Sequence, residues 1–194
     1  MSKSSGRLIV ISAPSGSGKT SIAKEILRKY PDMLFSISAT TRSRRSGEKE
    51  GKDYFFLTKE EFAERVKKGD LVEWEEIYGD HYGTLRSEVE KALRSGRVMM
   101  FDVDVKGALS IKKNFPEAVL IFIKPPSVDA LKERLVKRKT EDERALRRRL
   151  ERASMELEQG KHFDYQVVNE DLRKAIEAVD GIIRKHTELV SILP

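Results

Sequence analysis

Residues Ala13-Pro14-Ser15-Gly16-Ser17-Gly18-Lys19-Thr20 have the types and spacing of a loop that grips phosphate. Gly16 and Gly18 let backbone N–H groups turn inward as an anion nest, and a helix starting behind them adds the positive end of its dipole. The Lys19 ammonium can then reach the β- and γ-phosphates of a nucleotide, and the Thr20 hydroxyl can ligate Mg²⁺. Ala13 stands where the GxxxxGK[ST] pattern has its first glycine, a position less constrained than the glycines deeper in the loop. The flanks fit this reading. Leu8-Ile9-Val10-Ile11-Ser12 reads as a buried strand, and Ile22, Ala23, Ile26 and Leu27 make an apolar helical stripe just after the lysine. A ligand-free strand–turn–helix rich in Gly and Ser is the ordinary alternative.

Three further groups could do chemistry beside such a loop. Val98-Met99-Met100-Phe101-Asp102-Val103-Asp104 is an apolar strand ending in two acids, which share a face if the strand continues through both. At the C-terminal end of a parallel strand, a carboxylate can position Mg²⁺. Arg42, Arg44 and Arg45 crowd one loop, where Arg42 and Arg45 could fork a phosphate dianion and the Tyr54 hydroxyl could add a contact. A solvated basic loop would look the same. Glu73-Trp74-Glu75-Glu76 is an acidic cluster in a basic chain. A pocket-facing Glu73 could accept both N1–H and N2–H₂ of guanine, whereas adenine presents an unprotonated N1. Alone, Glu73 reads equally as a surface acid, Trp74 as a core or interface aromatic, and Tyr82-Gly83-Thr84 as an edge strand with a turn.

The elements that must carry these groups alternate. Strands are predicted at 7–12, 34–38, 97–103, 118–123 and 165–168, and helices at 19–29, 86–95, 105–114, 127–138, 141–159 and 171–188. That rhythm predicts an α/β fold, a parallel sheet with helices on both faces. Residues 38–85 interrupt it as a small α+β insertion, with a helix at 59–68 capped by Thr58 and Glu61. Ser87 with Glu90 and Thr140 with Glu143 read as further capping boxes, and Ser127 as an N-cap. Residues 126–156 form a strongly charged helical lid with a break near Lys139. On one unbroken helix Arg138 and Arg149 would stand about 16 Å apart, so the break would bring them together. Leu146, Leu150, Ala153 and Leu157 give the second lid helix a narrow apolar stripe that leaves Arg147 to Arg149 near the solvent side. The core is then 1–37, 86–125 and 157–194 of a single domain.

Bulk properties narrow the class. A chain of 194 residues can bury one sizeable core. A net charge of +6 and a pI near 9.4 favour anionic partners. The absence of cysteine excludes disulfides and thiolate metal sites, and His81, His162 and His186 lack ligand spacing. Neither a signal peptide nor a membrane span is expected, which places the chain in the cytoplasm.

The order of motifs resembles that of guanylate kinases over essentially the whole chain. It runs through Ser-Gly-Ser-Gly-Lys-Thr, Ser38-x-x-x-Arg42-x-x-Arg45, Gly51-Lys52-Asp53-Tyr54, Glu73-Trp74, Tyr82-Gly83-Thr84, Asp102-Val103-Asp104, Pro125-Pro126-Ser127 and Val167-Val168-Asn169. The resemblance implies a P-loop core, a monophosphate-binding insertion at 38–85 and a lid at 126–156, moving the γ-phosphoryl group of ATP to GMP with Mg²⁺. By that resemblance Ser38, Arg42, Arg45, Tyr54 and Tyr82 would hold the GMP phosphate, while Glu73, Thr84 and Asp104 would read guanine. Lys19, Arg138 and Arg149 would stabilise the transferring group, Thr20 and Asp102 would hold the metal, and residues 13–20 with Asn169 would bind ATP. Lys139 stands where a glycine often follows the lid arginine. Rival readings are another nucleoside monophosphate kinase, a non-catalytic module that binds phosphorylated peptides, and a nucleic-acid-binding protein. Neither nucleic acid nor a membrane is expected as a partner, and the oligomeric state is not encoded in these motifs.

Overall fold

Strand β1 (Arg7–Ser12) is apolar on both sides because two cores meet at it. Ile9 and Ile11 pack among Ile22, Ile26, Val179 and Ile183, while Leu8 and Val10 pack among Val89, Val105, Ala108 and Ile111. Burying a side chain of this size stabilises by roughly 1.5–3 kcal/mol, so both faces of the strand demand a helical cover.

The computed structural model describes residues 6–77, 79–137 and 143–189. After β1 come α1 (Lys19–Lys29), β2 (Leu34–Phe35), β3 (Ser38–Thr40), β4 (Phe55–Phe56), α2 (Lys59–Lys68), β5 (Leu71–Ile77), β6 (Asp80–Leu85) and α3 (Arg86–Arg94). The chain continues through β7 (Val98–Asp102), α4 (Val105–Asn114), β8 (Val119–Lys124), α5 (Val128–Lys137), α6 (Glu143–Gln159), β9 (Tyr165–Val168) and α7 (Leu172–His186). A parallel sheet has the order β2-β7-β1-β8-β9, with α1 and α7 on one face and α3 and α4 on the other. From β1 the chain crosses to one side and from β7 to the other. The crevice at the C-terminal ends of β1 and β7 is therefore where such sheets take ligands. Tyr30 at the end of α1 donates to Asp180 of α7 at 2.5 Å, and Lys29 donates to the same carboxylate at 3.0 Å, pinning the two helices together.

The second sheet is mixed, ordered β4-β3-β6-β5, with Phe62 of α2 buried against Ala39, Leu71 and Leu85. The Thr58–Glu61 capping box forms in both directions, at 3.1 and 2.7 Å, and Ser127 accepts from the Ala130 amide at 3.0 Å.

Three expectations are corrected. The apolar run 34–38 is not one strand. Ser36 still donates to Met100 at 2.8 Å, but Ser38 already pairs with Thr84 in the other sheet, so the chain changes sheets within the run. Ser87 and Glu90 form no cap, because β6 passes straight into α3 with Leu85 as N-cap, so Ser87 already lies inside the helix; the Arg86 amide before it donates to the Asp70 carbonyl at 2.8 Å. Asp102 and Asp104 do not share a strand face. β7 ends at Asp102, and Asp104 caps α4 by accepting from the Gly107 amide at 2.8 Å. The predicted lid break, with Arg138, Lys139 and Thr140, lies outside the described residues.

Candidate active site

Gly16 and Gly18 carry φ of 90° and 87°, which side chains rarely tolerate. At Gly18 the need is double, since a Cβ there would stand 2.3 Å from Asn169 Nδ2. The Asn169 amide donates to the Ser17 carbonyl at 2.7 Å from a buried position and braces the loop from below. Lys19 pairs with Asp102 and donates to the Val103 carbonyl at 3.1 Å. Residues 13–20 line a cavity of about 390 Å³ together with Asp104, Arg149, Arg152 and Glu156. Backbone donors, a lysine and two arginines around one cavity can hold a polyphosphate.

The cross-strand register assembles the second part. Thr84 faces both Ser38 and Glu73, and Tyr82 faces both Thr40 and Glu75, so all six occupy one face of the sheet. The opposite face carries Ala39 and Gly83 against Phe62 of α2. An irregularity between Leu71 and Glu73 sets this arrangement, because it places Glu73 opposite Thr84 rather than Gly83. Glu73 is nearly buried and accepts from the Thr84 hydroxyl at 2.7 Å. Burial pushes the Glu73 carboxyl up to about 7, aided by the neighbouring Asp104 and Glu75 charges and opposed by Thr84. Glu73 Oε2 and Asp104 Oδ1 lie 3.0 and 3.2 Å from the place a Cβ on Gly107 would take, so two acceptor carboxylates flank one spot.

Around the rim, the Arg42 guanidinium forks onto Glu48 at 2.7 and 3.2 Å and lies 5.2 Å from the centre of the Tyr54 ring. Tyr54 in turn meets Tyr82 edge-on at 6.2 Å. Arg45 reaches Glu48 through its backbone amide at 2.7 Å, while its side chain is exposed. The Arg42 fork first, then that amide, hold the Glu48 carboxyl below its ordinary value.

A glycine-rich loop cavity bordered by Asp104, itself beside a buried carboxylate–hydroxyl pair, is one part of the identification, and kinship is the other. The family model described as guanylate kinase matches residues 5–186. The guanylate kinase of Thermotoga maritima is 48% identical over 186 residues, covering 96% of this chain and 90% of that one. That of Salinibacter ruber is 50% identical over 180 residues, covering 92% and 95%. The crystal structure of guanylate kinase from Anaplasma phagocytophilum superposes with a TM-score of 0.73 at 32% identity, covering 98% and 92%. The chain belongs to the guanylate kinase family. Enzymes of this kind transfer a phosphoryl group from ATP to GMP, giving GDP.

For a guanylate kinase, the structure brings together most residues singled out from the sequence: residues 13–20, Asp102, Asp104 and Arg149 at one end, Ser38, Arg42, Tyr54, Glu73, Tyr82 and Thr84 at the other. Asn169, which the resemblance assigns to ATP, sits beneath the loop with its amide on the Ser17 carbonyl. Trp74, read as a core or interface aromatic, is 49% exposed and packs edge-on to Phe62. Arg138 lies outside the described residues. Three participants escaped sequence reasoning: Glu48, Glu75 and Arg152. Glu75 had a readable signal, being two residues from Glu73 on a strand. Glu48 and Arg152 had none beyond their charge.

Proposed function

We propose that ATP lies along residues 13–20 and that GMP lies on the Ser38–Glu73–Tyr82 face, with transfer between them. The observation that carries this reading is the buried Glu73–Thr84 pair, set beside Asp104, a residue that also borders the phosphate-loop cavity. Glu73 and Asp104 offer acceptors for guanine N1–H and N2–H₂. Thr84 fixes the orientation of Glu73, while Ser38, Arg42, Arg45, Tyr54 and Tyr82 take the monoester.

Lys19, Arg42, Arg138 and Arg149 neutralise charge on the phosphoryl group as it transfers. The acceptor is already an ionised phosphate oxygen, so positioning replaces a general base. The lid 126–156 and the insertion 38–85 close over the core to exclude water. The oxygen donors of Thr20 and Asp102 suit Mg²⁺, which takes one or two carboxylates and completes its shell with phosphate and water. Held by Thr20 and Asp102, Mg²⁺ would supply Lewis-acid neutralisation of the phosphate charge. Among the described residues no helix is long and apolar enough to cross a membrane.

Mixing the protein with ATP, Mg²⁺ and each of GMP, AMP, UMP and dTMP, then analysing products, tests the reading. Among the four acceptors only GMP should be consumed rapidly, giving GDP with an equal amount of ADP. Comparable ADP release with AMP or UMP would overturn the base assignment.

A further inference from the structure

Arg152 is an exposed arginine on a charged helix, yet three elements converge on it. Its Nη2 lies 3.2 Å from Asp104 Oδ2 and 3.4 Å from Glu75 Oε1, and its Nε lies 3.0 Å from Glu156 Oε1. Asp104 opens α4, Glu75 sits on β5 of the second sheet, and Glu156 follows one turn later on the same helix, α6. One guanidinium thus ties the lid helix to the core and to the insertion.

We infer that Arg152 is a positioning residue for guanine recognition: from the lid helix it fixes the carboxylate of Asp104 against the base edge. This rests on the assignment of Asp104 to guanine made above. Asp104 is held at both oxygens, Oδ1 by the Gly107 amide at 2.8 Å and Oδ2 by Arg152. With both ends fixed, the plane of the carboxylate is set, and Oδ1 stays beside Glu73 Oε2 around Gly107. Without the Oδ2 contact the carboxylate can turn about its bond to the chain.

The location demands a cation. Glu73, Glu75, Asp104 and Glu156 gather there, with Lys106 and Lys19 among the basic neighbours. Glu75 is pushed up to about 7, first by burial and then by a hydrogen bond and repulsion from Asp104, and Arg152 opposes that rise. An arginine suits the place because its planar fork can serve diverging carboxylates at once, which an ammonium cannot do with the same geometry. The i,i+4 bond to Glu156 holds its rotamer. At 49% side-chain exposure the ion pairs add little stability, so their effect is on orientation. Arg149, nearly one turn earlier, lines the phosphate-loop cavity together with Arg152. The docked helix therefore reaches toward phosphate with one residue and toward the base acceptor with the other.

IMP provides the test, because it lacks only the 2-amino group of GMP. Steady-state constants for GMP, IMP and ATP would be measured on the wild type, Arg152→Ala, Arg152→Lys and Asp104→Asn. Arg152→Ala should shrink the GMP-over-IMP ratio of kcat/KM by roughly tenfold, through the KM for GMP, with the KM for ATP nearly unchanged. Arg152→Lys should recover part of the loss, and Asp104→Asn should shrink the ratio as well. Equal losses for GMP and IMP in Arg152→Ala, with the ratio kept, would show a merely structural lid contact and overturn the inference. If Asp104→Asn keeps the ratio, the base assignment fails instead, and with it the role of Arg152.

Discussion

At the turn between β1 and α1, the groups proposed to face phosphate are mostly backbone N–H, delivered by one run of consecutive residues and braced by the Asn169 amide. On the cleft face of the second sheet the groups are side chains from three strands, aligned by register and an irregularity in β5. A backbone nest is insensitive to pH and intolerant of added atoms. A side-chain site built on a buried carboxylate is the reverse: it tolerates substitution structurally but changes its chemistry with one proton or one atom. The two halves of a kinase site can therefore be separated by perturbation.

The largest effect should come from the loop. Lys19→Ala should lower kcat by about 10²–10³-fold or more, since the charge it supplies matters most during transfer. GMP affinity should change little, and near-normal turnover in a coupled assay would remove Lys19 from its role. Next comes Glu73→Gln, which replaces one acceptor oxygen with a donor facing guanine N–H. GMP-over-AMP selectivity should fall by about 10²-fold while the KM for ATP holds, as read from a substrate panel.

Acidity sharpens the contrast further. With the Glu73 carboxyl pushed up to about 7, GMP binding should weaken by up to roughly tenfold per pH unit below neutrality as the acceptor is protonated. The ligand-free protein should show the opposite slope from this group. The folded state holds the proton more tightly than the unfolded chain, so stability declines as pH rises from about 4.5 towards 7. Glu73→Gln should remove both slopes, and Glu73-dependent slopes in the KM for ATP would blur the division. Smaller still, Asn169→Ala removes the brace under Ser17 and should raise the KM for ATP several-fold, leaving that for GMP alone. At the far edge of the insertion, Thr58→Ala should cost about 1 kcal/mol in thermal or denaturant unfolding without touching either KM.

The same contrast explains what could be read from the sequence. The loop was legible because its chemistry is contiguous, and the alternation of strands and helices followed from β1 being apolar on both faces. The capping box of α2 was legible for the same local reason. Ser87 and Glu90 looked identical in sequence, but β6 runs directly into α3 with Leu85 as N-cap, so Ser87 falls inside the helix rather than at its start. Glu73 could be named as a candidate, yet its face depended on the irregularity after Leu71, which no spacing rule reveals. Arg152 lies 77 positions from Glu75 and 48 from Asp104, so its place was set by packing of the lid against both other parts. Glu48 was hidden because its carboxylate matters only where Arg42 and the Arg45 amide converge.

The most direct measurement is a crystal structure with GMP and a non-transferable ATP analogue bound together. Triphosphate should lie along residues 13–20, the guanine edge against Glu73 and Asp104, and the monoester against Arg42 and Tyr82. A guanine ring lying away from Glu73, or both nucleotides sharing the loop, would contradict that placement.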